Sequence, residues 1–206
     1  MPTKKQLTAM LEVIATGQRI KDHKWEAENE RRKKRSQPPL PRPVWGERKT
    51  PTGCMITDGY AGLCYAEPIP ELPHEGEYEQ DHNLIRGLIE KEFTHGNYAL
   101  VSSPFAGTIR ASGIRELLRT YAYQRENDSG RTRIELRSGE NGASANFDAL
   151  YVRRAVEAMG GTVRLYIGSS STSNGGNYLL LTPDDGDCFD LDRGIHGIVL
   201  PIRPGC

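Results

Sequence analysis

Asp58-Gly59 stands between two short apolar runs, and few local sequences restrict a fold as much. Met55 to Thr57 is apolar and β-branched; Leu63 to Ala66 is apolar again, and Pro68 ends it. Gly adopts positive φ without a Cβ clash, so an Asp-Gly pair in this setting predicts two antiparallel strands over a tight turn. The stretch Gly53-Cys-Met-Ile-Thr-Asp-Gly-Tyr-Ala-Gly-Leu-Cys-Tyr-Ala-Glu-Pro68 therefore reads as a hairpin, with Thr57-Asp58-Gly59-Tyr60 at its bend. A second apolar stretch, Gly197-Ile-Val-Leu-Pro-Ile-Arg-Pro204, lies far along the chain. The two are expected to form one binding site.

Helical spacing accounts for the segments around these strands. Thr3 is a plausible N-cap for a helix through Arg19, with Leu7, Met10, Leu11 and Ile14 on one stripe. Lys4 and Lys5 in its first turn serve either solubility or phosphate contact. The charged run Lys21–Ser36 either extends this helix or forms an arm, and its end, Arg31-Arg-Lys-Lys-Arg35, suits a solvated face or a phosphate grip. Gln37-Pro-Pro-Leu-Pro-Arg-Pro43 breaks any helix and favours an extended polyproline spacer. Further helices are predicted over Asn83–Phe93, from Ser112 through Gln124, and over Phe147–Met159 behind an Asn146 cap. The third would bury Ile114, Leu117, Leu118 and Tyr121; the fourth would bury Leu150, Tyr151, Ala155 and Met159. Strands are expected at 97–102, 108–110, 131–137, 162–168, 178–181 and 197–202, with loops at 71–81, 139–145, 169–176 and 184–192.

A chain of 206 residues with 22 Gly and 13 Pro suits a loop-rich α+β protein of one large or two small domains. The element order suggests two similar units, 1–103 and 104–206, each with two helices packed on antiparallel sheet. A formal net charge of zero gives no global attraction to nucleic acid, so DNA contact requires a local basic face. No apolar run approaches the roughly 20 residues of a membrane span, and the N-terminus has no signal-peptide core, so a cytoplasmic location is expected. Cys54, Cys64, Cys188 and Cys206 lack metal-site spacing and are expected to be small thiols of a reducing compartment. Cys54 and Cys64 could also face each other across the hairpin. No metal or cofactor is expected.

Several segments, in order, resemble the bacterial replicative sliding clamp, the DNA polymerase III beta subunit. Phe147-Asp-Ala-Leu-Tyr-Val-Arg-Arg-Ala-Val-Glu-Ala-Met-Gly-Gly-Thr-Val-Arg-Leu-Tyr-Ile167 is similar to that family's last helix and following strand. Tyr178-Leu-Leu-Leu-Thr-Pro-Asp-Asp185 resembles its next strand, and Ile198-Val-Leu-Pro-Ile-Arg203 its closing Val-Met-Pro-Met-Arg. Thr108-Ile-Arg-Ala-Ser-Gly-Ile-Arg-Glu-Leu-Leu118, followed by Thr132-Arg-Ile-Glu-Leu136, resembles the start of the third domain. Ile56-Thr-Asp-Gly-Tyr60 resembles the Ala-Thr-Asp-Gly-His signature of the second. Tyr60 stands where that family has His, Ala61-Gly62 stands for Arg-Leu, a hairpin between Arg137 and Asn146 is trimmed, and residues 21–50 read as an insertion.

The resemblance implies two clamp-like domains and no catalysis. It implies a processivity factor that holds double-stranded DNA without reading sequence and binds short motifs of a polymerase or of repair proteins. Clamp rings have six domains, so a two-domain chain implies a homotrimer, with a dimer as the alternative. The peptide pocket would comprise Thr57, Gly59, Tyr60 and Leu63 opposite Ile198, Leu200, Pro201, Ile202 and Arg203. DNA would meet Lys4, Lys5, Arg115, Arg119, Arg153 and Arg154. A non-encircling clamp relative, such as a phage or mobile-element decoy or regulator of replication, would use the same pocket. An enzyme is the weaker rival. Ser170-Ser-Thr-Ser173 lacks a following Glu-x-Glu, and Asp184-Asp185-Gly-Asp187 lacks the later carboxylate of a calcium loop.

Overall fold

The computed structural model describes residues 1–77, 84–95, 97–124, 131–169, 177–184 and 189–202. Thr3 opens α1 (Lys4–Lys34) with a capping box: its hydroxyl accepts from the Gln6 amide, and the Gln6 side chain accepts from the Thr3 amide. The helix does not stop at Arg19. The charged run continues it, and Arg31 to Lys34 fill the last turn, where cations oppose the helix dipole. Its buried stripe is Met10, Val13, Ile14 and Gly17, while Leu11 is exposed. That stripe is rotated from the predicted one: Val13 rather than Leu11 is buried, and Trp45 seats against Gly17.

The proline-rich segment after α1 folds back along it. Proline lacks the N–H that strand pairing needs, so helix side chains take up the segment's backbone polar groups. Gln18 donates to the Pro43 carbonyl (2.9 Å), Trp25 to the Leu40 carbonyl (2.9 Å) and Arg32 to the Pro38 carbonyl (2.8 Å). Asn29 accepts from the Leu40 amide (2.8 Å), and Asp22 binds Arg42 (2.8 Å). Residues 18, 22, 25, 29 and 32 recur at alternating steps of four and three, which is one face of the helix.

Among the described residues twelve strands follow, with three further helices among them: β1 (Glu47–Thr50), β2 (Gly53–Thr57), β3 (Ala61–Tyr65), β4 (His74–Glu77), α2 (Leu84–His95), β5 (Asn97–Ser103), β6 (Thr108–Arg110), α3 (Ile114–Tyr121), β7 (Tyr123–Gln124), β8 (Thr132–Ser138), β9 (Ser144–Asp148), α4 (Ala149–Met159), β10 (Thr162–Ser169), β11 (Tyr178–Pro183) and β12 (His196–Val199). They form one mixed sheet in the order β4-β1-β2-β3-β12-β11-β10-β5-β8-β7, with β6 on β10 and β9 on β8. Only β1 and β4 pair in parallel among the described residues. The fold is α+β, as expected. Pairing crosses residue 104, since β12 joins β3 and β10 joins β5.

Both sheet faces are covered, so the central strands are apolar on consecutive residues. Leu179 and Leu181 enter a core with α1, α3 and α4; Tyr178 and Leu180 enter another with α2 and the 3-10 turn Leu191–Arg193. Cys54 pairs with Tyr65 and Cys64 with Met55, so the two thiols lie on opposite faces rather than against each other.

Other local expectations shift. Asn146 lies inside β9, and Asp148 caps α4 by accepting from the Leu150 amide. α4 buries Val152, Ala155, Val156 and Met159, leaves Leu150 exposed and half-buries Tyr151. α3 begins at Ile114 behind Gly113, not Ser112, and Tyr121 is exposed. β1, β4 and β9 carry no apolar alternation long enough to announce them. Parts of the expected loops at 71–81, 169–176 and 184–192, including Ser170-Ser-Thr-Ser173, Asp185 to Cys188, and also Cys206, lie outside the described residues. Among the described residues no helix is long and apolar enough to cross a membrane.

Candidate binding site

The Asp58-Gly59 turn is held by its own side chains. Asp58 Oδ1 accepts from the amides of Tyr60 and Ala61, both at 2.8 Å. Thr57 Oγ1 donates to the Ala61 carbonyl and accepts from the Gly59 amide. Gly59 has φ +91°, and open space where a Cβ would lie, so the dihedral alone requires glycine. Trp45, seated on Gly17, donates its indole N–H to the Thr57 carbonyl. Lys21 and Arg48 lie 4.7 and 4.6 Å from its ring, a cation on each count. Asp58 is buried, which raises its carboxyl above the ordinary 3.8, although the Ala61 and Tyr60 amides and the nearby Arg154 charge work against this.

The closing strand meets this turn. The Leu200 amide donates to the Tyr60 carbonyl at 2.8 Å, directly beyond the Val199–Ala61 pair. The Ile202 amide then donates to the Asn146 carbonyl at 2.8 Å. The backbones of the two predicted stretches are thus adjacent, but their side chains diverge. Leu63 and Ile198 are interior, and Thr57 is buried. Leu200 packs with the α2-side core, whereas Tyr60 is exposed and stacks on Tyr151 of α4, with ring centroids 5.3 Å apart and planes at 12°. Leu200, Pro201 and Ile202 are half-buried; Arg203 lies outside the described residues. β12 is an interior strand between β3 and β11, not an edge.

Most of the predicted DNA-facing cations contact carboxylates. Lys5 (3.9 Å), Arg115 (2.7 Å) and Arg153 (3.7 Å) converge on Glu157. Arg153 and Arg154 also reach Glu12 at 3.4 and 3.2 Å, and Arg154 donates to Thr16 Oγ1 at 3.0 Å. Lys4 and Arg119 are exposed.

Sequence reading missed a cleft of about 390 Å3 beside the turn. It is lined by Arg19, His23 and Lys24 of α1 together with Tyr60, Arg131 and Tyr151. No local pattern announces it, because four distant segments contribute. The one available signal was the i,i+4 spacing of Arg19 and His23, had α1 been continued past Arg19. A second cleft, of about 460 Å3, is lined by Gly160, Gly161 and Gly194 together with Met159, Pro183, Asp184 and Arg193. The tyrosine cleft has the denser chemistry: an aromatic platform with cations.

No family model, curated protein or solved structure matches the chain.

Proposed function

We propose that the chain is a non-catalytic clamp-type protein of DNA replication, which holds duplex DNA without reading sequence and receives short peptide segments of replication proteins. The bond from the Leu200 amide to the Tyr60 carbonyl carries this reading. It joins the Ile56–Tyr60 stretch to Ile198–Arg203, the two segments that resemble the halves of a clamp peptide site. In this reading the chain has two clamp-like units meeting near residue 104, and three copies close a six-domain ring. The peptide lies against Gly59, Tyr60, Leu200, Pro201, Ile202 and Arg203; Thr57, Leu63 and Ile198 support that surface from inside. Lys4, Lys5, Arg115, Arg119, Arg153 and Arg154 face phosphates, and the site of action is the cytoplasm.

A specific observation favours a second reading, a non-encircling module that captures or competes for the same peptides. Lys5, Arg115, Arg153 and Arg154 already contact Glu12 or Glu157, whereas a sliding surface needs cations available to phosphates. Light scattering during size-exclusion chromatography separates the readings. A mass near three chains, with retention on closed circular but not linear DNA, supports the ring. A monomer at every concentration removes the ring and leaves the module.

A further inference from the structure

The cleft beside Tyr60 combines two recognition elements. The first is aromatic. One face of Tyr60 is covered by Tyr151, yet the residue remains 44% exposed, so its ring offers a second surface. The pair is prepaid in geometry, since Asp58 and Thr57 fix the turn that carries Tyr60. The second element is charge. Arg19, His23, Lys24 and Arg131 line the same cleft, with no carboxylate lining it among the described residues. Arg19 is oriented by donating to Thr16 Oγ1 at 3.0 Å.

We propose that this cleft binds a nucleoside phosphate, with the base stacked on Tyr60 and the phosphate held by Arg19, Lys24 and Arg131. A carboxylate alone would meet the cations and leave the ring unused; an apolar side chain would do the reverse. A base joined to a phosphate engages both, and aromatic stacking beside basic side chains is the usual way proteins hold unpaired nucleotides. About 390 Å3 lies at the small end of ligand clefts, which suits one nucleotide. The same chemistry occurs in a free nucleotide and in an unpaired nucleotide of single-stranded DNA. This site does not depend on ring formation; it shares Tyr60 with the proposed peptide surface but takes its charge from Arg19, Lys24 and Arg131, which that surface does not use.

The test is calorimetric titration of the full chain with AMP, adenosine, ribose 5-phosphate and a short oligothymidylate strand. AMP is expected to bind roughly tenfold more tightly than ribose 5-phosphate, the gain from stacking one base on one ring, and more tightly than adenosine, which lacks the phosphate that the cations hold. Tyr60→Leu should lose that stacking gain, and Lys24→Gln should weaken AMP while leaving adenosine unchanged. Lys24 is exposed, so Lys24→Gln should unfold like the parent chain, whereas Tyr60→Leu loses the Tyr151 stack and should show a small drop in thermal midpoint while remaining folded. Binding of the strand well above AMP assigns the site to unpaired DNA; equal binding assigns it to the free nucleotide. Three results would overturn the proposal: ribose 5-phosphate binding as well as AMP, AMP binding unaffected by Tyr60→Leu, or no binding of either AMP or the strand.

Discussion

Arg115 Nε donates to Glu157 Oε1 at 2.7 Å, which fastens α3 to α4 through a carboxylate only 4% exposed. Lys5 of α1 and Arg153 of α4 approach the same carboxylate. One acid therefore gathers cations from three helices and sets how much positive charge that face presents.

Glu157→Gln should lower the thermal midpoint, because three cations lose their shared counter-charge. If the face meets DNA, the same change should tighten non-specific binding and steepen its salt dependence by about one unit. Filter binding across a salt series measures both. An unchanged slope would remove this face from DNA contact.

Gly17→Ala should reverse the ordinary sign of a helix substitution. In an unobstructed helix interior the change stabilises by about 1 kcal/mol. Here the new Cβ would lie 2.0 Å from Trp45 Nε1. The expected result is a loss of about 1–3 kcal/mol in urea unfolding. A gain in stability would show that the indole does not seat against α1.

Tyr65→Phe should cost about 1.5–3 kcal/mol, the range for a hydrogen bond to a charged group. Tyr65 donates to Glu47 Oε2 at 2.7 Å, and the Ile69 amide donates to the same oxygen at 3.0 Å. Glu47 is almost wholly buried, so losing the phenol leaves a desolvated carboxylate under-satisfied. Burial, followed by the Glu47 bond and charge, pushes the phenol upward. Denaturant midpoints of the two chains decide the matter.

Asp58→Asn should change the pH profile more than the turn. The amide keeps an oxygen for the Tyr60 and Ala61 N–H groups, while Asp58 Oδ2 has no hydrogen-bond partner among the described residues. Because burial raises the folded carboxyl above 3.8, the folded chain binds its proton more tightly than the unfolded chain. This group's contribution to stability is therefore greatest at low pH. It declines as pH rises from the unfolded value through the raised folded value. The variant should lack that decline, so its advantage over the parent should grow with pH across this window. A constant difference between the two unfolding curves would contradict the burial argument.

Asn29→Ala should release the arm locally without unfolding the body. The Leu40 amide donates to Asn29 Oδ1, and removing that acceptor should speed its hydrogen exchange by roughly tenfold, the equivalent of one ordinary hydrogen bond. Exchange at the buried strands should be unchanged.

The sequence was most informative where a local rule acts alone. Thr3 as an N-cap and Asp58 with Gly59 as a turn each mark a boundary by backbone chemistry, and the structure has both. It was least informative where partners are distant. The charged run 21–34 resembles a solvated tail until residues 38–43 supply its other half. Apolar character predicts Leu150 and Tyr121 inside, but both are exposed among the described residues. Glu47 to Thr50 gives no strand pattern of its own, because Arg48 and Lys49 interrupt it and pairing with β2 and β4 decides the matter. At the candidate site, the two stretches expected together are adjacent through one backbone bond, from the Leu200 amide to the Tyr60 carbonyl, while their side chains diverge. The cleft was not legible, since Arg19, Arg131 and Tyr151 share no neighbourhood along the chain.

β12 fills the slot between β3 and β11, although its residues, 196–199, follow every other strand in the chain. During synthesis, β3 and β11 must therefore wait with unpaired edges until the last strand has emerged. An open edge of this kind is where strands from other chains add. Completion of the sheet therefore requires residues 196–199 to be free of the ribosome. A ribosome stalled shortly before residue 196 would hold a chain able to form α1 and the Asp58-Gly59 hairpin but not the central pairing.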